Sequence, residues 1–217
     1  MINLKNISFQ YDNAKEESLE NINLEVKQGE CVLLCGESGC GKTTVTRLIN
    51  GLIPHFYEGR LEGESYVDKL DIRKTPLEKI SKKVGSVFQN PRSQFFCVDT
   101  TGEIAFGLEN TGMSEREILD RVNRATEQLQ VKNLLYRNIF NLSGGEKQKI
   151  ACAGVSAVEP DIIVLDEPTS NLDEDAIAML RNILLLWKSE GKTIVIAEHR
   201  LHWLCDVVDR VIYMEKG

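Results

Sequence analysis

The stretch Gly36-Glu37-Ser38-Gly39-Cys40-Gly41-Lys42-Thr43 limits what this chain can fold into more than any other feature. It fits G-x-x-x-x-G-K-[ST], a loop that cradles nucleotide phosphates when it follows a strand and opens a helix. The apolar run Cys31 to Cys35 predicts that strand, and Thr43 to Asn50 predicts that helix. Glycine lets the backbone bend tightly and aim successive N–H groups inward, making an anion nest, and the helix start adds the positive end of its dipole. Lys42 supplies a point charge for the β- and γ-phosphates, and Thr43 offers a hydroxyl to Mg²⁺. The candidate nucleotide-binding residues of this segment run from Gly36 through Thr44. Cys40 is a spacer among them, and its modification is expected to block nucleotide.

With 217 residues, 42% of them hydrophobic, the chain fits one compact domain over 1–217. No apolar run approaches the ~20 residues that cross a bilayer. The start, Met1-Ile2-Asn3-Leu4-Lys5, lacks the charged-then-apolar layout of a signal peptide. A cytoplasmic location without direct membrane insertion is expected. The net charge of −7 comes with no Lys/Arg block, which argues against a nucleic-acid partner. The six cysteines form no C-x-x-C pair and read as small core residues rather than a zinc site or disulfide framework. His55 and His202 have no second ligand at useful spacing, so packing or surface roles are expected.

Strands are predicted at Ile2 to Gln10, Leu24 to Val26, Ser65 to Val67, Val84 to Phe88, Ile162 to Leu165, Thr193 to Ala197 and Val211 to Met214. Helical spacing of Ile118, Val122, Ala125 and Leu129 marks a helix between about 115 and 135, with Ser114 and Glu117 as a capping box. A second runs from Asp173 to Glu190 on Ile177, Leu180, Ile183 and Trp187, and Gly191 ends it. A short helix is expected near Leu201 to Val208. Strands alternating with helices predict an α/β fold with a mostly parallel sheet.

Asp166 and Glu167 follow the continuous apolar run Ile162 to Leu165, at the carboxyl end where open α/β sheets bind ligands. Asp166 is the candidate metal partner alongside Thr43, and Glu167 the candidate acceptor of a proton from an attacking water. Leu142-Ser143-Gly144-Gly145-Glu146 precedes a helix whose packing face is Ile150, Ala153, Gly154 and Ala157. Ser143 and the glycines make either a second backbone anion site or an ordinary N-cap.

Taken together, these segments resemble the ATP-binding-cassette ATPases. Gly36 to Thr43 resembles their Walker A loop, Ile162 to Glu167 their Walker B strand, Leu142 to Glu146 their signature and Ser170-Asn171-Leu172-Asp173 their D-loop. Gln89 is similar in place to the Q-loop glutamine, His199 to the switch histidine, and Tyr11 to the aromatic that stacks on adenine. The resemblance implies a P-loop NTPase with a parallel central sheet, an antiparallel β subdomain and a helical subdomain over approximately 91–157. It implies ATP as substrate and Mg²⁺ as cofactor, held by Thr43, Gln89 and Asp166. Catalysis would involve Glu167, His199 and Gln89. It also implies two partners. A second cassette would receive Ser143, Gly144, Gly145 and Glu146 on its ATP and meet Asp173, and a transmembrane subunit would hold the domain to the inner face of the membrane.

A finer resemblance links Phe88 to Phe95, and Ile104 to Asn110, to energy-coupling-factor importers of vitamins and metal ions. Leu52 to Gly59 with Glu198-His199-Arg200 resembles the subset in which two cassettes share one polypeptide, and the end at Gly217 is consistent with a domain of a longer protein. Glu198 and Arg200 depart from the commoner pattern, in which Thr or Ser precedes the histidine and Asp follows it. The function expected is energising an importer. The alternative is a soluble cassette ATPase serving macromolecular assembly, DNA or translation.

Overall fold

The computed structural model describes residues 1–215. With strands numbered in chain order, β1 (Ile2–Tyr11), β2 (Leu19–Val26), β4 (Gly59–Val67) and β5 (Leu70–Asp71) form an antiparallel sheet in the order β2-β1-β4-β5. The other sheet is parallel throughout, in the order β6-β7-β8-β3-β9. Its strands are β3 (Cys31–Gly36), β6 (Val84–Val87), β7 (Ile162–Asp166), β8 (Thr193–Ala197) and β9 (Arg210–Met214). The helices are α1 (Lys42–Ile49), α2 (Leu52–His55), α3 (Leu77–Ser81), α4 (Thr100–Glu109), α5 (Glu115–Gln128), α6 (Gly144–Val158) and α7 (Glu174–Ser189).

The parallel sheet is the middle layer, which explains its unbroken apolar runs. Alternate residues point to opposite faces. Val32, Leu34, Val164 and Val195 pack with Val45 and Leu48 of α1 and with Ile2, Leu4 and Ile7 of β1. Leu33, Ile163, Leu165 and Ile196 pack with Ile150 and Ala153 of α6 and with Ile177, Leu180 and Trp187 of α7. Trp187 is fully buried, and its indole N–H donates to Ser156 Oγ at 2.8 Å. Four of the cysteines, Cys31, Cys35, Cys40 and Cys152, are buried among these layers. Burial pushes the Cys31 and Cys152 thiols up to about 12, as inert core groups. Ser114 and Glu117 form the expected capping box of α5.

Several elements differ from their sequence reading. β2 begins at Leu19 and β4 at Gly59, because each keeps one face in water and interleaves Glu, Asn or Arg with its apolar residues. α4 carries no clear sequence signal: Gly102 and Gly107 interrupt its pattern, and its start depends on Asp99, whose carboxylate accepts from the Thr101 and Gly102 N–H groups. α5 stops at Gln128 rather than near 135. The helix expected over Leu201 to Val208 is a single 3₁₀ turn, His202–Leu204. No helix among the described residues is long and apolar enough to cross a membrane.

Candidate nucleotide and hydrolysis site

The phosphate loop leaves β3 and enters α1 as its motif requires. Gly41 caps α1 at φ 96°, where a Cβ would lie 2.7 Å from the Ser18 carbonyl oxygen and 2.8 Å from Leu19 Cδ2. Only glycine fits both the torsion and the space. Lys42 is 4% exposed, and its ammonium donates to the carbonyls of Gly36 (3.0 Å) and Glu37 (2.8 Å), with Cys40 Sγ at 3.5 Å. The loop's own carbonyls therefore hold the charge inside the concavity.

The Thr43 hydroxyl donates to Asp166 Oδ1 at 3.1 Å, so the fold joins the end of β7 to the start of α1. Burial pushes the Asp166 carboxyl above its usual range. The Thr43 hydrogen bond opposes that shift, and the neighbouring Glu167 charge adds to it. Thr43, Gln89 and Asp166 line one cleft of about 440 Å³. A hydroxyl, an amide and a carboxylate are the hard oxygen donors that suit Mg²⁺, so this residue set fits the ion.

Glu167 stands at φ 44°, with its N–H on the Ala197 carbonyl at 2.8 Å, which turns its side chain off the strand end. Gln89 Nε2 donates to Glu167 Oε2 at 2.8 Å, and His199 Nε2 lies 3.1 Å from Glu167 Oε1. The three residues come from the carboxyl ends of β6, β7 and β8, which are neighbours in the sheet. Strand order alone thus gathers residues separated by up to about 110 positions in sequence.

Tyr11 ends β1 beside α1. Its hydroxyl accepts from Arg47 Nη1 at 3.0 Å and lies 3.4 Å from Thr44 Oγ1. Its ring packs edge-on against Phe9 and Tyr57, and the Arg47 guanidinium lies 4.2 Å over the Tyr57 ring. Tyr57 therefore packs toward the site while Phe56 is exposed. His55 binds the Ile72 carbonyl, a packing role.

Ser143 caps α6. Its Oγ accepts the Glu146 N–H at 3.2 Å, and Glu146 Oε2 accepts the Ser143 N–H at 2.8 Å, which holds the Glu146 carboxyl below its usual range. Gly144 and Gly145 open the helix. Asp173 caps α7 by accepting the Ala176 N–H at 2.9 Å. Among the described residues, no hydrogen bond joins the 143–146 segment or Asp173 to the phosphate loop or to Glu167. The sequence reading did not place Arg47, Thr169 or Glu198 in this network, in which the Glu198 carboxylate accepts the Thr169 hydroxyl and the His199 N–H, each at 2.7 Å. Arg47 was legible as the i+4 neighbour of Thr43, and Glu198 as an acid directly after a buried strand.

The model of the family described as ABC transporter matches residues 19–170. The chain belongs to the ABC transporter family. A provisionally named ABC transporter ATP-binding protein of Treponema denticola is 55% identical over the whole chain, which spans 44% of that protein. One of Pyrococcus abyssi is 41% identical, again over the whole chain, which covers 78% of it. The chain thus spans less than half the length of the Treponema relative. Among solved structures, cbiO1 from Clostridium perfringens, described as part of the ABC transporter complex cbiONQ, superposes with a TM-score of 0.87 at 29% identity. That superposition covers all of this chain and 85% of the other. A dimeric ATP-binding cassette in a post-hydrolysis state with ADP and Pi gives 0.85 at 28% identity, covering all of this chain and 95% of the other.

Proposed function

We propose that this cassette energises a membrane importer, of the energy-coupling-factor type that takes up a vitamin or metal ion, by hydrolysing ATP at Glu167. The observation that carries the hydrolytic reading is the convergence of Gln89 and His199 on the Glu167 carboxylate, next to the Thr43–Asp166 pair. The loop from Gly36 to Thr44 holds the phosphates through backbone N–H groups and Lys42, and Tyr11 meets the base. Glu167 accepts a proton from the water that attacks the γ-phosphate, and His199 and Gln89 hold that carboxylate in place. Thr43, Asp166 and Gln89 would hold Mg²⁺, which would neutralise phosphate charge when bound. Positioning and charge stabilisation supply most of the rate.

Ser143, Gly144, Gly145 and Glu146 serve a different nucleotide, that of a second cassette, which also meets Asp173. Their separation from the phosphate loop within one chain supports this arrangement. The helices over approximately 91–157 act as the subdomain that carries them, and the whole of 1–217 acts as one cassette. A γ-phosphate held from both sides keeps two cassettes together, and its loss on hydrolysis releases them. The likeness to cbiO1 and the motifs at Phe88 to Phe95 support the importer reading. The chain then lies on the cytoplasmic face, bound through a transmembrane partner over the segment from Asn90 to Leu108.

Affinity purification from detergent-solubilised membranes tests this. Recovery of an integral membrane subunit that crosslinks within residues 90–108 is expected. Recovery of soluble assembly factors alone would favour the non-transport alternative.

A further inference from the structure

At the end of β8 this chain buries an acid. Glu198 is 2% exposed and directly continues β8, with its N–H on the Leu34 carbonyl at 3.1 Å. Its Oε1 accepts the backbone N–H groups of His199 (2.7 Å) and Arg200 (3.1 Å). Its Oε2 accepts the hydroxyl of Thr169, itself fully buried, at 2.7 Å. No Lys or Arg among the described residues pairs with it. A carboxylate taken out of water is costly unless donors meet it, so these contacts fix the charge and the charge fixes them.

We infer that Glu198 is a positioning residue: it locks the main chain of His199 and ties it through Thr169 to the turn that presents Glu167. The inference rests on the hydrolytic role proposed for His199. Beyond β8 the chain has no regular structure at His199, whose exposed ring meets Glu167 through one 3.1 Å contact. The carboxylate supplies the order that a strand or helix would otherwise give. On the other side, Thr169 lies inside the turn in which the Ser170 N–H meets the Glu167 carbonyl at 3.2 Å and the Leu172 N–H meets the Thr169 carbonyl at 3.2 Å. One buried carboxylate therefore sets both loops that bring Glu167 and His199 together. A single hydroxyl at this position has one oxygen and cannot span all of these donors.

The test is steady-state ATP hydrolysis, KM for MgATP and thermal melting of Glu198→Ala, Glu198→Gln, His199→Ala and the Glu198→Ala/His199→Ala pair. Glu198→Ala is expected to lower kcat by about ten-fold with KM within about two-fold, a loss of transition-state positioning rather than of binding. Glu198→Gln keeps an oxygen for the two N–H groups and an N–H for the Thr169 hydroxyl, and should hold kcat within about three-fold of the wild type. The double variant should be slower than His199→Ala by less than the full Glu198→Ala factor, because the part of the effect that runs through the His199 ring is already gone while the Thr169 turn is still released. Where Glu198→Ala fails to fold, Thr169→Val removes one donor and keeps the shape. A loss of about three-fold in kcat at unchanged KM supports the inference, and an unchanged kcat overturns it. Wild-type kcat in Glu198→Ala beside a defective His199→Ala overturns this inference alone, as does a double variant slower by the full Glu198→Ala factor. A silent His199→Ala overturns the proposed role of His199 and this inference with it.

Discussion

Replacing Gly41 by alanine tests whether the phosphate loop is shaped as the geometry requires. Two costs follow from the structure. A side chain at φ 96° in the left-handed region costs about 1–2 kcal/mol. The added Cβ would also sit 2.7 Å from the Ser18 carbonyl oxygen and 2.8 Å from the Leu19 side chain, the latter fully buried. Neither neighbour can swing away, and overpacking of this kind costs about 1–3 kcal/mol more. Gly39 is the control: it has φ 83°, but nothing lies within 4 Å of the position a Cβ would take, so Gly39→Ala carries the torsional cost alone. The difference between the variants is thus about 1–3 kcal/mol, or roughly 2–12 °C in melting temperature at about 2–4 °C per kcal/mol for a chain of this size. Differential scanning calorimetry on both variants measures it. Gly41→Ala melting within a degree of Gly39→Ala would refute the close packing of the loop on the start of β2.

Lys42→Ala should weaken ATP binding strongly; unchanged affinity in titration with a fluorescent ATP analogue would contradict the phosphate-loop assignment. Asp166 gives a pH prediction. Its folded-state carboxyl titrates above the unfolded one, so folding favours the protonated form and loses stability as pH rises from the ordinary carboxylate range through the raised value. Asp166→Asn should therefore melt higher than wild type at pH 7, with the gain shrinking as pH falls below that window; a gain independent of pH would contradict the burial cost. Trp187→Ala should cost about 3–5 kcal/mol in denaturant unfolding through lost packing and an orphaned Ser156 hydroxyl, and a cost below about 1 kcal/mol would contradict its place in the core.

The parts of this fold that the sequence announced are those buried on both sides. Thr193–Ala197 and the run from Ile162 to Leu165 are buried along their whole length, so composition alone marks them. β4 was visible only at its buried end, because Arg60, Glu62 and Glu64 face water and Gly59 and Gly63 read as breaks. α4 was hidden for the converse reason, since its glycines lower propensity while Ile104, Ala105 and Leu108 pack it from outside. In the site, the phosphate loop was legible because local spacing dictates it. The contact of Gln89 and His199 with Glu167 was not, because it depends on β6, β7 and β8 lying side by side, which no local pattern encodes. Glu198 was noticed only as a departure from a pattern. Its partners on Thr169 and the following backbone required the fold.

The most direct measurement is ATP turnover and ATP binding by Glu167→Gln. The substitution keeps the size of the side chain and its contacts to Gln89 and His199 but removes the base, so binding should persist while hydrolysis falls by about 10²–10⁴-fold. Near-normal steady-state hydrolysis in this variant would contradict the assignment of Glu167 as the group that activates water.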